Sequence, residues 1–267
     1  MQNISIVFDD NPIARGYAQL FRLRSYKFDN LFLLNSAKIF KILKFNINKK
    51  KKNFHALEMI KSGKFEKSFN YLEEFFLLEK GFIKNMYKHD IENLSKNKID
   101  IFTSSINSKE IVTNNLFKKT TLLLNTTYQI IKNTEFFSKK ILHVHPAKLP
   151  EIKGADGSLW QIHKFNSLSC SVFYINQKID EGEVIFINDF EIPRLNDLSF
   201  KLKNISEKYR FWFSFVDPLL RSKTLDIFLK KGNIDKNKIE NNINNVSNYY
   251  SFMTSDDKEI VFKKVFT

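Results

Sequence analysis

The chain has 267 residues, 43% of them hydrophobic, with 7 glycines, 5 prolines and a formal charge of +14. Such a chain can bury one sizeable core, alone or with a small appendage, and the values exclude a disordered polypeptide. No apolar run reaches the roughly 18 residues of a membrane span, and Asp9 and Asp10 stand where a signal peptide would be apolar. The lone Cys170 allows no internal disulfide, which suits a reducing, cytoplasmic setting.

The positive charge is nearly all lysine, in a chain also rich in Asn, Ile and Phe. A compositional bias toward residues with A/T-rich codons accounts for it as readily as a ligand does. Arginine is confined to Arg15, Arg22, Arg24, Arg194, Arg210 and Arg221. Bidentate Arg is the common reader of bases, so nucleic acid is not an expected partner. The charge does suit small anionic ligands.

Ile4 to Phe8 reads as a strand, followed by a helix to about Phe21 with Asn11 as N-cap and Pro12 at its first position. Leu31 to Leu34 is a second strand. The run Lys49, Lys50, Lys51 and Lys52 reads as a solvated loop, with a phosphate-binding patch as the alternative. From Phe54 to Asn97 the spacing of Phe65, Phe69, Leu72, Phe75 and Phe76 is helical, and such a stripe reads as core. Ile99 to Thr103, Thr121 to Leu124 and Ile141 to Val144 read as buried strands, the first two separated by a helix near Lys109 to Phe117. This alternation predicts an α/β fold: a Rossmann-like, doubly wound, mainly parallel sheet. Leu168 to Ile175 and Glu183 to Asn188 add two more strands. The expected organisation is a core over 1–190, followed by a C-terminal helix and extended tail over 191–267. In that second part Leu198 to Lys231 reads as a helix interrupted by Pro218, Gly232 to Asn248 as a loop, and Tyr249 to Thr267 as a hairpin or tail. No glycine-rich dinucleotide loop, P-loop or paired-cysteine metal motif occurs, and no metal is expected.

The chemistry-bearing stretch is His143-Val144-His145-Pro146-Ala147-Lys148-Leu149-Pro150, continuing to Gly154. It begins at the carboxyl end of a predicted central strand, where open α/β sheets bind ligands. Pro146 and Pro150 stiffen the loop that follows, and Gly154 lets the backbone turn or approach a ligand. His145 is thus set for proton transfer or oxyanion stabilisation; the plain alternative is a surface His-Pro turn. Asp180, in Ile179-Asp180-Glu181-Gly182 between two predicted strands, is a carboxylate suited to orienting a histidine. Taken alone, it is an ordinary turn.

Together these segments resemble the formyltransferase family, whose pattern is Asn-x-His-Pro-Ser-x-Leu-Pro-x-x-Arg-Gly followed by a distant Asp-x-Gly. His145, Pro146, Leu149, Pro150, Gly154, Asp180 and Gly182 match it. Thr127-Tyr128-Gln129-Ile130-Ile131 is similar to the family's folate-lining segment. The resemblance implies transfer of a formyl group from N10-formyltetrahydrofolate to an amine. His145 would then stabilise the oxyanion, and Asp180 would hold His145 and help move the proton. Tyr128, Gln129, Ile130, Ile131, Leu149, Pro150, Ile179 and Gly182 would hold the folate, with Lys153 and Asn11 on the acceptor. Relatives are often homodimers.

The chain departs from the pattern at His143, which stands where the family has its oxyanion-donating Asn. Three readings are open: His143 replaces the amide, it serves another acyl or one-carbon donor, or it marks a relative that binds folate or nucleotide without catalysis. Ala147 and Lys153 replace the usual Ser and Arg. The 87 residues beyond Asp180 fall short of the extra domain that methionyl-tRNA formylation uses. Asp9-Asp10-Asn11-Pro12 is not the phosphate loop of glycinamide ribonucleotide formyltransferases. Elimination leaves the sugar N-formyltransferases, acting on nucleotide-linked amino sugars for surface polysaccharides. Trp160, Tyr174 and Cys170 read as core, and His163 as a helix-surface residue.

Overall fold

A computed structural model describes residues 4–34, 53–88, 91–97, 100–102, 105–132, 134–138, 140–231 and 248–267. The lysine run at 49–52 and the stretch 232–247 lie outside the described residues.

Strand β1 (Ile4–Asp9) is buried along its whole length. Its period of two sends Ile4, Ile6 and Phe8 into one hydrophobic cluster and Val7 into a second, on the opposite face of the sheet. Helix α1 (Pro12–Leu23) follows at once. The Asn11 side chain accepts from the Ala14 N–H, and Pro12 opens the helix where a missing N–H costs nothing. Ile13, Tyr17, Leu20 and Phe21, at helical spacing, all turn inward. Then come β2 (Leu31–Leu34), helices α2 (Phe54–Lys61), α3 (Glu66–Phe75) and α4 (Phe82–Lys88), and β3 (Asp100–Phe102). Two short helices, α5 (Lys109–Thr113) and α6 (Asn115–Lys119), lead into β4 (Leu122–Asn125), and β5 (Lys140–His145) follows.

These strands build a seven-stranded sheet with β7 (Leu168–Tyr174) and β8 (Val184–Phe190), in the order β3-β2-β1-β4-β5-β7-β8. The first five run parallel; β7 pairs antiparallel with β5, and β8 antiparallel with β7. The chain winds outward from β1 first one way and then the other. This is the expected doubly wound, mainly parallel α/β sheet, and its switch point lies between β1 and β4. A short parallel pair stands apart from it: β6 (Ile152–Gly154) with β9 (Asn248–Tyr250).

The C-terminal part differs from the sequence reading in two ways. Pro218 does not interrupt the helix. Helix α8 (Ile205–Phe211), a π-helical turn (Trp212–Val216) and α9 (Asp217–Lys231) run on continuously. Proline frees the carbonyl four residues back, which is that of Ser214, and the Tyr87 hydroxyl donates to that oxygen at 3.0 Å. The wide turn and this outside donor accommodate the proline. Second, Tyr249 to Thr267 is not a hairpin: β9 leads into helix α10 (Ser255–Phe266), capped by the Thr254 side chain. Val261, Phe262, Val265 and Phe266 recur as pairs four apart and are buried, a helical period hidden by the charged residues between them. Residues of α8, the π turn and α9, including Phe211, Trp212, Phe215 and Leu219, share one hydrophobic cluster with β1 and α1.

Candidate active site

The alternation that buries β4 and β5 also assembles a row of polar groups. Leu123 and Ile141 point into the second cluster. Two residues further along the same face come Asn125 and His143, and then His145. Leu123 pairs with Ile141, so the parallel register sets Asn125 beside His143. That cluster ends short of the strands' carboxyl ends, and a cleft of about 610 Å³ opens there. This volume is in the range of small-molecule sites. The β7–β8 loop brings Asp180 to it, and the α8–α9 helix brings Tyr209, Phe213 and Arg221.

His145 is 3% exposed, and its Nε2 lies 3.0 Å from the Ile152 carbonyl oxygen. A carbonyl only accepts, so Nε2 carries the hydrogen. The other nitrogen, Nδ1, faces Asp180 Oδ2 at 3.7 Å, too far for a hydrogen bond. Burial lowers the His145 pKa, against the pull of Asp180, and Arg221 adds to the lowering. Burial would raise the Asp180 carboxyl, but the pull of His145 when protonated, the Gly154 N–H, that of His143 when protonated and the Arg221 charge bring it below the usual value. With both rings neutral, the Gly154 N–H and Arg221 still favour the carboxylate. The resting pair is therefore a neutral imidazole, lone pair outward, opposite a carboxylate. Two acceptors face one small gap, which suits a proton donor such as an amine.

Asp180 holds a left-handed backbone conformation, φ 52°, tolerated by Asp better than by bulkier residues. Its carboxylate accepts the Gly154 N–H at 2.8 Å. Gly154 has φ 97°, and a Cβ there would lie 2.2 Å from the Tyr250 carbonyl oxygen. Only glycine lets β9 lie against β6 at this point.

His143 Nδ1 lies 3.4 Å from Asn125 Nδ2, and its ring meets Phe173 edge to face. Burial first and Arg221 second press its pKa down to about 3, so the ring is neutral.

Behind both rings lies a buried ion pair. Arg221 Nε donates to Asp217 Oδ2 at 2.7 Å, and Nη1 to the Val144 carbonyl at 2.5 Å. Asp217 also accepts from Ser158, whose Oγ accepts the Trp212 indole N–H at 2.9 Å. Burial works against the guanidinium charge, but Asp217 and its other neighbours more than offset this and raise the Arg221 pKa, so a fixed positive charge sits under the cleft.

Of the residues singled out from sequence, His143, His145, Asp180, Tyr128, Gln129, Ile130, Ile131 and Ile179 line this one cleft. So do Thr127, Pro146 and Gly154, whereas Asn11, Leu149, Pro150, Lys153, Gly182 and His163 lie elsewhere. Asn11 is fully buried as the α1 cap, and its Nδ2 donates to the Thr126 carbonyl at 2.7 Å. Leu149 is core and Pro150 is not on the cleft wall. Lys153 pairs with Glu181 at 2.6 Å. At Gly182 a Cβ would meet the Tyr174 carbonyl oxygen at 1.6 Å, which makes it a packing glycine. His163 is partly buried, 3.6 Å from Asp257.

The sequence reading missed Asn125, Arg221 and the C-terminal strap. The strap carries Tyr249 and Phe252, 61% and 71% exposed, onto the cleft wall. It is tied down by Trp160 Nε1 donating to the Ser251 carbonyl at 2.8 Å and by the Met253 N–H on Asp156 at 3.0 Å. For Arg221 a signal was present: a scarce arginine four residues after an Asp in a helix.

No protein-family model matches the chain, and no curated protein sequence matches it. Among solved structures it is similar to a sugar N-formyltransferase from Shewanella sp. FDAARGOS_354 (12% identity, TM-score 0.48, 98% of this chain and 87% of that one). A second is a 4-N formyltransferase from Francisella tularensis (14%, 0.46, 97% and 85%). A third is an N-formyltransferase from Helicobacter canadensis in complex with folinic acid and dTDP-3-aminofucose (16%, 0.45, 99% and 80%).

Proposed function

We propose that this chain is an N-formyltransferase, moving the formyl group of N10-formyltetrahydrofolate to the amine of a nucleotide-linked amino sugar destined for a surface glycan. The observation that carries the reading is the neutral His145 Nδ1 opposite the Asp180 carboxylate, 3.7 Å apart at the floor of the cleft. Both groups sit at the spacing at which the chain resembles the formyltransferases.

The chemistry follows from those two acceptors. The acceptor amine attacks the formyl carbon and a carbon–nitrogen bond forms. The amine proton passes to His145 Nδ1, and the resulting imidazolium is stabilised by Asp180. The bond from the formyl carbon to the folate N10 then breaks, and the same proton moves to that nitrogen. Because the His145 N–H is committed to Ile152, the resting ring is better suited to receiving a proton than to binding an oxyanion. The Tyr128–Ile131 segment and Ile179 offer apolar surface for the pterin, and Tyr249 and Phe252 offer faces on which a nucleobase can stack. No described helix is long and apolar enough to cross a membrane. The single buried Cys170 suits a reducing cytoplasm.

The test begins with calorimetric titration of 5-formyltetrahydrofolate, a stable analogue of the donor. One-to-one binding weakened in Asp180→Asn, followed by formyl transfer to a panel of nucleotide amino sugars, is the expected result. No binding at millimolar ligand would overturn the folate donor and favour another acyl group.

A further inference from the structure

We propose that Asn125 is a positioning residue that fixes His143 in the Nε2–H tautomer and so gives the site a neutral N–H donor aimed into the cleft. The inference rests on the formyl-transfer reading and extends it to a residue outside the family motif.

The argument is one of hydrogen-bond polarity. The Thr127 main-chain N–H can only donate, and it lies 3.2 Å from Asn125 Oδ1. That sets the amide: oxygen toward Thr127, nitrogen toward His143. Nδ2 also donates to the Thr127 carbonyl, at 3.5 Å, which fits the same orientation. An NH₂ group has no lone pair to offer, so His143 Nδ1, at 3.4 Å, must accept, and the ring hydrogen sits on Nε2. Register makes the pairing: Asn125 ends β4 and His143 lies beside it on β5.

Burial, first of all, keeps the ring neutral, and the groups around it shift the balance in both directions. Arg221 of α9 and His145 of β5 disfavour a proton, while Asp180 of the β7–β8 loop and, more weakly, the Asn125 main-chain carbonyl favour one. Phe173 of β7 closes the side. The outcome is a donor that does not switch off near neutral pH. It takes over, from an imidazole, the service an amide would perform for the oxyanion of the tetrahedral intermediate. His143 and His145 then divide the work: one gives a hydrogen bond to oxygen, the other receives the proton from nitrogen.

The test is a long-range proton–nitrogen NMR correlation of the His143 ring in the full chain, joined to steady-state kinetics. In the wild type the hydrogen is expected on Nε2 at pH 7. In Asn125→Asp the carboxylate accepts instead, so the hydrogen should move to Nδ1 and the His143 pKa should rise. kcat should fall about tenfold to a hundredfold, with KM for both substrates within about twofold. Asn125→Ala, a milder change should the Asp variant fail to fold, should give a mixture of tautomers and an intermediate kcat. In a His143→Asn background the Asn125→Asp change should cost little more. An Nδ1–H or doubly protonated ring in the wild type, or an unchanged tautomer in Asn125→Asp, overturns the proposal. A wild type that transfers no formyl group overturns the reading beneath it, whatever the tautomer.

Discussion

Asp180 is anchored by the main-chain N–H of Gly154, at 2.8 Å, and not by the histidine it faces, at 3.7 Å. The carboxylate is therefore held in place while its approach to His145 stays open. Asp180→Asn should keep the fold and the Gly154 contact but lose the charge that favours a protonated His145. A fall in kcat of about 10²- to 10⁴-fold is expected, with the melting temperature nearly unchanged. Wild-type turnover in this variant would end the role given to Asp180.

The two cleft histidines make stability depend on pH. Burial, with Arg221, lowers both folded pKa values beneath the ordinary value near 6.5, and His143 reaches about 3. Below about pH 6.5 the unfolded chain binds protons that the folded chain refuses, so stability is complete above that pH and declines as pH falls. One such histidine gives a slope of about 1.4 kcal/mol per pH unit. Urea unfolding between pH 7 and 4.5 should therefore be steeper in the wild type than in His143→Asn. Equal slopes would show that His143 titrates normally.

Arg221→Met should be costly in a different way. It leaves Asp217, 1% exposed, as a buried charge without its guanidinium. A loss of about 3–5 kcal/mol is expected from urea melts, and Arg221→Met with Asp217→Asn should recover part of it. A loss under about 1 kcal/mol would mean that water replaces the guanidinium.

Asn11 separates a cap from a ligand contact. Asn11→Ala removes the bond to the Ala14 N–H and the donor to Thr126, for an expected loss of about 1–2 kcal/mol. KM for the acceptor should stay within about twofold. A large KM change with stability intact would return Asn11 to the acceptor site.

Gly154→Ala puts a methyl group against the Tyr250 carbonyl at a backbone angle that L-residues avoid. The strap should loosen, read as faster proteolysis near 248–254 and weaker acceptor binding, while donor binding holds. An unchanged acceptor KM would remove the strap from the site.

The sheet was legible because β1, β2, β4, β5, β7 and β8 are short apolar runs, each close to the span expected. The meeting of His145 and Asp180 on one cleft could be anticipated because a rigid His-Pro loop and a distant Asp-x-Gly form a local pattern. Asn125 reaches His143 only through a strand register, and Arg221, though marked by Asp217 four residues before it, reaches the cleft only through a helix packed behind the sheet. Asn11, Leu149 and Gly182 carry motif positions yet lie off the cleft wall, where the structure shows a cap, a core side chain and a close backbone approach. The strap was missed because a three-residue strand leaves no period to detect, and the last helix because its apolar pairs are spaced by charges.

The π-helical turn at Trp212–Val216 has one more consequence. Each residue added to an α-helix advances its azimuth by about 100°, so one extra residue in that turn sets the phase of everything after it. Asp217 and Arg221 face the sheet because of that offset. A single-residue deletion there would restore a regular helix and rotate the cation out from under both histidines with its own side chain untouched. In this protein, the count of residues in one turn of helix decides where the charge beneath the cleft points.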